Sequence, residues 1–436
     1  MSAQKVMATV PKPLEGTRVL SFVNALAGPV ATALMGDLGA EVIDIEEPNG
    51  RSRRGRADYA PLPGVPDWPW NRIGSENRRS KLNLTLDVGQ PEGREVFLEL
   101  VSHCDIMIEN FSPRVLTNLG IAYDDLIQVK PDIILISMPA FGKTGPYKDR
   151  TSYGPGIDAM SGLGQLTGYP DRGPGKPGPV LNDYNAGALA SFSALTALLH
   201  RRRTGKGQYI EVPMLEAEVH LIADALIDAQ FNGRDRMRDG NRHLSMAPHA
   251  VYPCAHEDRW IAIACRDDEE FRRLADAIGR ADLVDDPRYT TTLARKQNEE
   301  SLDQEISRWS SMQEHVEAQD LLQRHGVPAG AVLDMKELVE SPHFAARNLF
   351  QTVLNPEVGV VKHMRAPWNF SRTPTPVTRP AGAFGEHNDY VLRDLLGMSD
   401  ERVEALERLE VIARVPLFVT ESQDVEASRS AQEITQ

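Results

Sequence analysis

Short apolar runs alternate with longer amphipathic stretches over the first 140 residues of the chain, and this alternation predicts the architecture. Val19 to Phe22 reads as a buried strand, followed by a loop ending in Gly28-Pro29 and a helix from about Val30 to Leu38. Pro29 suits a first helical turn and Gly39 a stop, after which "EVIDIE" reads as a second strand. Strand, helix and strand in this order form a βαβ unit, which implies parallel strands joined by a right-handed crossover. The pattern continues with helical "REVFLELVSHC", strand "DIMIENF", helical "VLTNLG" and the apolar strand "PDIILISMPAFG". An α/β domain with a mostly parallel sheet is the expected fold class.

Beyond this region the periods change. Asn49 to Asn77 is a long polar stretch rich in Pro, Gly and Arg, and Thr151 to Pro179 has no helical period beyond "GIDAMSGLG". A long helix follows in "LNDYNAGALASFSALTALLHRRRTG", then a strand "YIEVP" and a helix from Pro213 to about Ala229. Residues near 247–330 mix a strand, "RWIAIAC", with helices "DEEFRRLADAIG", "SLDQEISRWSS" and "AQDLLQRHG", which suggests a second, smaller domain. From about Val327 to Leu396 short strands and prolines return.

Composition narrows the function. With 41% hydrophobic and 25% charged residues, the 436-residue chain is an ordinary globular one. Its net charge of −14 repels polyanions, which argues against nucleic acid and anionic membrane as partners. Three cysteines without a CxxC spacing suit reduced thiols in the cytoplasm. "MSAQKVMATVPKPLEG" has no apolar h-region and no apolar run of roughly 18 residues occurs, so neither a signal peptide nor a membrane span is expected.

Familiar catalytic signatures fail. "FGKTGP" has Ser137 where a P-loop needs its first glycine, and "VNALAGP" has one glycine where a dinucleotide fingerprint needs three. The histidines have no metal-ligand spacing, and no G-x-S-x-G elbow occurs. Asp183 stands out, at or next to the N-cap of the long helix, whose Leu189, Phe192, Leu195 and Leu199 form an apolar stripe expected to face a core. As a cap it would contribute on the order of 1 kcal/mol. As an ionised carboxylate beside helix N–H groups it could equally serve as a nucleophile toward an activated carbonyl. Two basic clusters, Arg51/Arg53/Arg54/Arg56 and Arg78/Arg79/Lys81, lie near presumed carboxyl ends of strands, where α/β folds bind phosphate-bearing ligands; solvated loop charge is the plainer alternative.

Several segments, in order, resemble the class III CoA-transferases, the CaiB/BaiF family of formyl-CoA transferase and carnitine-CoA transferase type. They are "PLEGTRVLSFVNALAGPVATALMGDLGAEVIDIEEPNG", "NRRSKLNLTLDVGQPEG", "MIENFSP" with "LGIAYDDL", "ISMPAFGKTGPY", "LNDYNAGALAS", "RRRTGKGQYIEVPMLEA" and "LGMSDERVEALERLEVI", spanning most of residues 13–412. The resemblance implies a Rossmann-like large domain from residues 13–225 and 336–416 and a smaller α+β domain over 226–335, while the tail at 417–436 has almost no apolar residues and is expected to be disordered. It also implies an interlocked homodimer that binds acyl-CoA and a small carboxylic acid, with no permanently bound cofactor and no metal.

In such enzymes an aspartate at the position of Asp183 attacks the acyl-CoA thioester. An acyl-aspartyl anhydride and CoA thiolate form, and further exchange builds the new thioester. CoA contacts carried over by motif are Ala25, Leu26 and Ala27, then Leu86, Asn110 and Phe111, and the loop Ala140, Phe141 and Gly142. Glu47, Gly89 and Asn118 stand where some members have basic contacts, so Arg78, Arg79, Arg114 or the Arg51–Arg56 cluster is expected to supply charge. No run of consecutive glycines resembles the shielding loop of some members. Two alternatives remain, a 2-methylacyl-CoA racemase-like enzyme and a non-catalytic acyl-CoA-binding protein. The racemase reading is weakened by Tyr153, which stands near its expected histidine.

Overall fold

The computed structural model describes residues 10–49, 76–178, 180–355 and 359–417. The Arg51–Arg56 cluster and the 418–436 part of the tail lie outside them. The chain divides into two compact units, the first holding the residues up to Leu163 with Pro177–Ile227 and those from Arg347 onward, the second Gly164–Lys176 and Asp228–Ala346.

In the first unit the elements run β1 (Arg18–Phe22), α1 (Ala27–Asp37), β2 (Glu41–Glu46), β3 (Leu82–Thr85), α2 (Pro91–Ser102), β4 (Ile106–Glu109), α3 (Arg114–Leu119), α4 (Tyr123–Val129), β5 (Ile134–Ser137), α5 (Gly154–Met160), α6 (Leu181–Thr204), β6 (Tyr209–Glu211) and α7 (Met214–Val219). The strands form a six-stranded sheet in the order β3-β2-β1-β4-β5-β6, and each neighbouring pair is parallel. Fully buried strands such as "ILIS" of β5 have apolar residues on successive positions because helices cover both faces. Strand order reverses between β1 and β4, and the carboxyl-end crevice at such a switch point is where open α/β sheets bind ligands.

Helix α6 packs on α1 through small residues. A methyl group at Gly187 would lie 2.8 Å from both the Ala27 carbonyl oxygen and Val30 Cγ1, so only a glycine permits this approach. Ala186, Ala190, Ala194 and Ala197 continue the contact face, and Ser191 donates to the Ala31 carbonyl at 3.0 Å. This corrects two expectations. The helix begins at Leu181 with Val180 as its N-cap, which makes Asp183 the third helical residue and not the cap. Most of the expected stripe does not face the core either: Phe192 is 67% and Leu199 50% exposed, Leu189 is exposed as well, and only Leu195 packs, half-buried, against the core, where the buried leucine is Leu198. Small residues allow the shorter interaxial distance, so they take the inner face and leave the bulky ones outside.

The helix expected over 213–229 is divided. Pro213 is the N-cap of α7, a 3₁₀ turn follows at His220–Ile222, and a further helix spans Ala223–Asn232. The segment after Arg347 returns to β3. Gly385 N–H donates to Asn83 Oδ1 at 2.7 Å, Thr85 N–H to Asn388 Oδ1 at 3.0 Å, and the Thr85 hydroxyl to the Ala413 carbonyl at 2.6 Å.

The second unit contains an antiparallel sheet of β7 (His249–Pro253), β8 (Trp260–Ala264) and β9 (Ala329–Ala331). Helices α8 (Asp268–Ala277), α9 (Glu299–Ser310) and α10 (His315–Arg324) supply Phe271, Leu274, Leu302, Ile306 and Leu322 to its core. Among the described residues no helix is long and apolar enough to cross a membrane.

Candidate active site

A cavity of about 550 Å³ opens at the switch point, lined by the loops that follow β1, β4 and β5 and by the starts of α5 and α6. The crevice is held by one side chain. Asn110 accepts from the Asn24 N–H at 2.7 Å and donates to the Asn24 carbonyl at 2.8 Å, joining the loops after β1 and β4. Ala25 next to it has a φ of 54°, a left-handed conformation that costs a non-glycine residue roughly 1 kcal/mol. Phe111 stacks on Phe22 with ring centroids 4.8 Å apart, and its N–H donates to Glu109 at 2.9 Å.

Asp183 lines this cavity and is only 8% exposed. As the third residue of a 24-residue helix it lies in the first turn, where N–H groups point outward and the dipole favours an anion. Gly154, the first residue of α5, faces it across the cavity wall. A Cβ on Gly154 would stand 3.1 Å from Asp183 Oδ2, so the missing side chain is what leaves space beside the carboxylate. Asn182 Nδ2 donates to the Gly154 carbonyl at 2.8 Å and ties the two helix starts together.

The cavity gathers Asp183 with five of the residues carried over by resemblance: Ala25, Asn110, Phe111, Ala140 and Phe141. Leu26, Ala27 and Gly142 flank these loops without lining it, and Leu86 is buried in the core at 2% exposure. Of the basic candidates, Arg79 is buried and donates to Asp37 at 2.8 Å and to Glu76 at 3.0 Å. Arg78 lies 3.8 Å from Glu46, and Arg114, well exposed, 3.9 Å from Asp149. None of these three lines the cavity. Its basic side chains are Lys148 and Arg150, the latter stacked on the Tyr147 ring at 3.9 Å. Sequence reasoning passed over both because "YKDR" has no periodicity to distinguish it from any charged loop.

A second group escaped the sequence as well. Asp158 of α5 and Glu218 of α7 are buried behind Asn182. Burial, followed by the hydrogen bond and charge of Asp158 and then the charge of Asp183, pushes the Glu218 carboxyl up to about 8. Among the described residues no cluster of three or more His, Cys, Asp or Glu is arranged to hold a metal ion.

The switch-point crevice of this parallel α/β sheet thus brings a helix-start carboxylate and two basic side chains to one cavity. The profile of CoA-transferase family III matches residues 14–388. The chain is 34% identical to succinyl-CoA–D-citramalate CoA-transferase of Chloroflexus aurantiacus over 92% of its own length and 98% of that protein. It is 32% identical to succinate–glutarate CoA-transferase of Agrobacterium fabrum, over 88% and 96% of the two chains. The crystal structure of a CaiB/BaiF family protein from Brucella suis superposes with a TM-score of 0.80 at 30% identity, covering 89% of this chain and all of that one. The chain belongs to CoA-transferase family III.

Proposed function

We propose that this enzyme moves CoA from an acyl-CoA thioester to a free carboxylic acid through covalent intermediates on Asp183. The observation that carries the reading is the Asp183 carboxylate at the start of α6, lining the switch-point cavity beside a glycine that leaves it accessible. One Asp183 oxygen attacks the thioester carbonyl; the C–O bond forms, the C–S bond breaks, and CoA leaves as thiolate. The thiolate attacks the aspartyl carbonyl of the anhydride and releases the donor acid, leaving CoA on Asp183 as a thioester. The acceptor carboxylate displaces CoA from this thioester to form a second anhydride. Attack of the thiolate on the acceptor carbonyl then yields the new acyl-CoA and restores Asp183.

Lys148 and Arg150 are assigned to the phosphates of CoA, since they are the basic groups that line the cavity and Arg79 is engaged with Asp37. Succinyl-CoA is the donor we favour and a second dicarboxylate the acceptor. The relatives support this, as their names pair succinyl-CoA or succinate with citramalate or glutarate. The buried, unpaired thiols of Cys104, Cys254 and Cys265 suit the cytoplasm.

Two copies associate in this reading, and the exposed Phe192 and Leu199 of α6 are the surface we assign to the contact. The mechanism is tested with an ¹⁸O-labelled acceptor acid and unlabelled acyl-CoA. Label must enter the peptide containing Asp183, and turnover with no label in that peptide overturns the covalent role.

A further inference from the structure

Behind the Asp183 carboxylate, three short segments meet: α5 with Asp158, the start of α6 with Asn182, and α7 with Glu218. All three side chains are at most 4% exposed. Asp158 Oδ1, Asn182 Oδ1 and both Glu218 oxygens are buried without a hydrogen-bond partner, although Asp158 and Asn182 lie within hydrogen-bonding reach of Glu218. Each of these atoms is an acceptor when the carboxyls are ionised. Acceptors that face one another in a dry interior repel, and two adjacent carboxylates do not both keep their charge. A proton on one of them turns a repulsive contact into a donor–acceptor pair.

Among the described residues, the groups acting most strongly on Glu218 include no cation, and only the hydrogen bond of Asn182 favours its ionised form. From α5 comes Asp158, whose carbonyl accepts from Ser161 Oγ at 3.0 Å; from α6 come Asn182 and Asp183. On its own element are Glu216, and next to it His220, both exposed, with the His220 ring on the Glu216 carbonyl at 2.8 Å. The pair is therefore buried from solvent, with no cation among its strongest neighbours.

We propose that Asp158 and Glu218 share one proton, and that this protonated pair positions Asp183 by holding the Asn182 amide and, through it, the Gly154 carbonyl. The role rests on Asp183 being the nucleophile. Glu218 never touches substrate in this arrangement; it is a positioning residue. Loss of the proton adds a second negative charge at the junction of α5, α6 and α7, which separates the segments that fix Asp183. Binding of the CoA phosphates, assigned to a different loop, is left intact.

The sign of the pH effect follows from the raised Glu218 carboxyl. An unfolded chain gives up this proton near the ordinary glutamate range, whereas the folded protein keeps it to about pH 8. Between those values the unfolded state binds fewer protons, so the wild type loses stability relative to Glu218→Gln as pH rises. Thermal midpoints of both proteins from about pH 5 to about pH 9 measure this gap directly. It should widen with pH, and a gap that stays constant overturns the shared proton.

Kinetics then test positioning. In the wild type kcat should fall roughly fivefold or more from about pH 7 to about pH 9 with the KM for acyl-CoA unchanged. Glu218→Gln, which keeps a donor and cannot ionise, should lose this alkaline limb, and Glu218→Ala should be slowed at every pH. An alkaline limb that persists in Glu218→Gln overturns the positioning role even where the thermal data support the proton. Failure of the nucleophile reading is seen separately, as CoA transfer surviving in Asp183→Ala.

Discussion

The two faces of α6 are built on opposite rules. The inner face carries Asn182 and Asp183 in its first turn and then Ala186, Gly187, Ala190, Ser191, Ala194 and Ala197, nearly all small and all buried. The outer face carries Phe192 and Leu199, large and largely exposed. Closeness to α1, not hydrophobicity, decides which residues turn inward, and the same close contact seats the helix start at the cavity. The inner face joins the cavity-lining carboxylate and the helix packing in one line of residues, and the outer face leaves large apolar side chains uncovered by this chain.

Substitutions can separate these roles. Asp183→Ala should lower CoA transfer at least ~10³-fold while shifting the thermal midpoint by only a few degrees, because the proposed nucleophile is lost and no cap is. Rates within tenfold of wild type would remove Asp183 from the mechanism. Gly187→Val, four residues along the same face, should act the other way and cost about 3 kcal/mol in urea titrations, since its Cβ meets the Ala27 carbonyl. An unchanged midpoint would mean that α1 and α6 can part without penalty.

On the outer face, Phe192→Asp should convert a dimer to a monomer in light scattering and change chain stability by no more than about 0.5 kcal/mol. A dimer that survives it unaltered would place the contact elsewhere. The smallest effect belongs to the cavity rim: Lys148→Ala and Arg150→Ala should each raise the KM for acyl-CoA several-fold with kcat nearly constant. If neither moves KM, the phosphates bind elsewhere.

Much of the sheet was legible because β1, β4 and β5 are short, mostly apolar runs bounded by loops, and β2 follows a helix stopped at Gly39. The β1, β2, β4 and β5 segments could be read one by one, and parallel pairing followed from the intervening helices. Asp183 was singled out correctly as a helix-start residue but placed three positions too early. The rule that Asp favours a cap overrode the apolar Val180-Leu181 pair that in fact opens the helix. The outer stripe of α6 misled for a related reason. Leucine and phenylalanine at helical spacing are the usual sign of a core face, yet the alanines at 186, 190, 194 and 197 had the same periodicity and were the better guide.

Arg79 shows a different limit. Its sequence neighbourhood suggested a phosphate contact, but Asp37, 42 positions earlier, engages it in the interior. Asp158 and Glu218 are likewise 60 residues apart, and only tertiary packing makes them a pair. The membership of residues 164–176 in the second unit is of the same kind, since a Gly- and Pro-rich segment has no periodicity that assigns it to either body.

The return of the late segment to β3 has a consequence for how the chain is made. Asn83 and Thr85 take partners at Gly385, Asn388 and Ala413, which lie 302, 303 and 328 positions further along. At ~5–20 residues per second these partners leave the ribosome some ~15–65 s after the strand itself. Throughout that interval the second unit's sheet and helices can fold, while the first unit waits with its β3 edge uncovered. Newly synthesised protein that stalls before Gly385 would present that edge to other chains, so translation of the late segment closes the fold at the sheet edge two strands from the β1/β4 switch point.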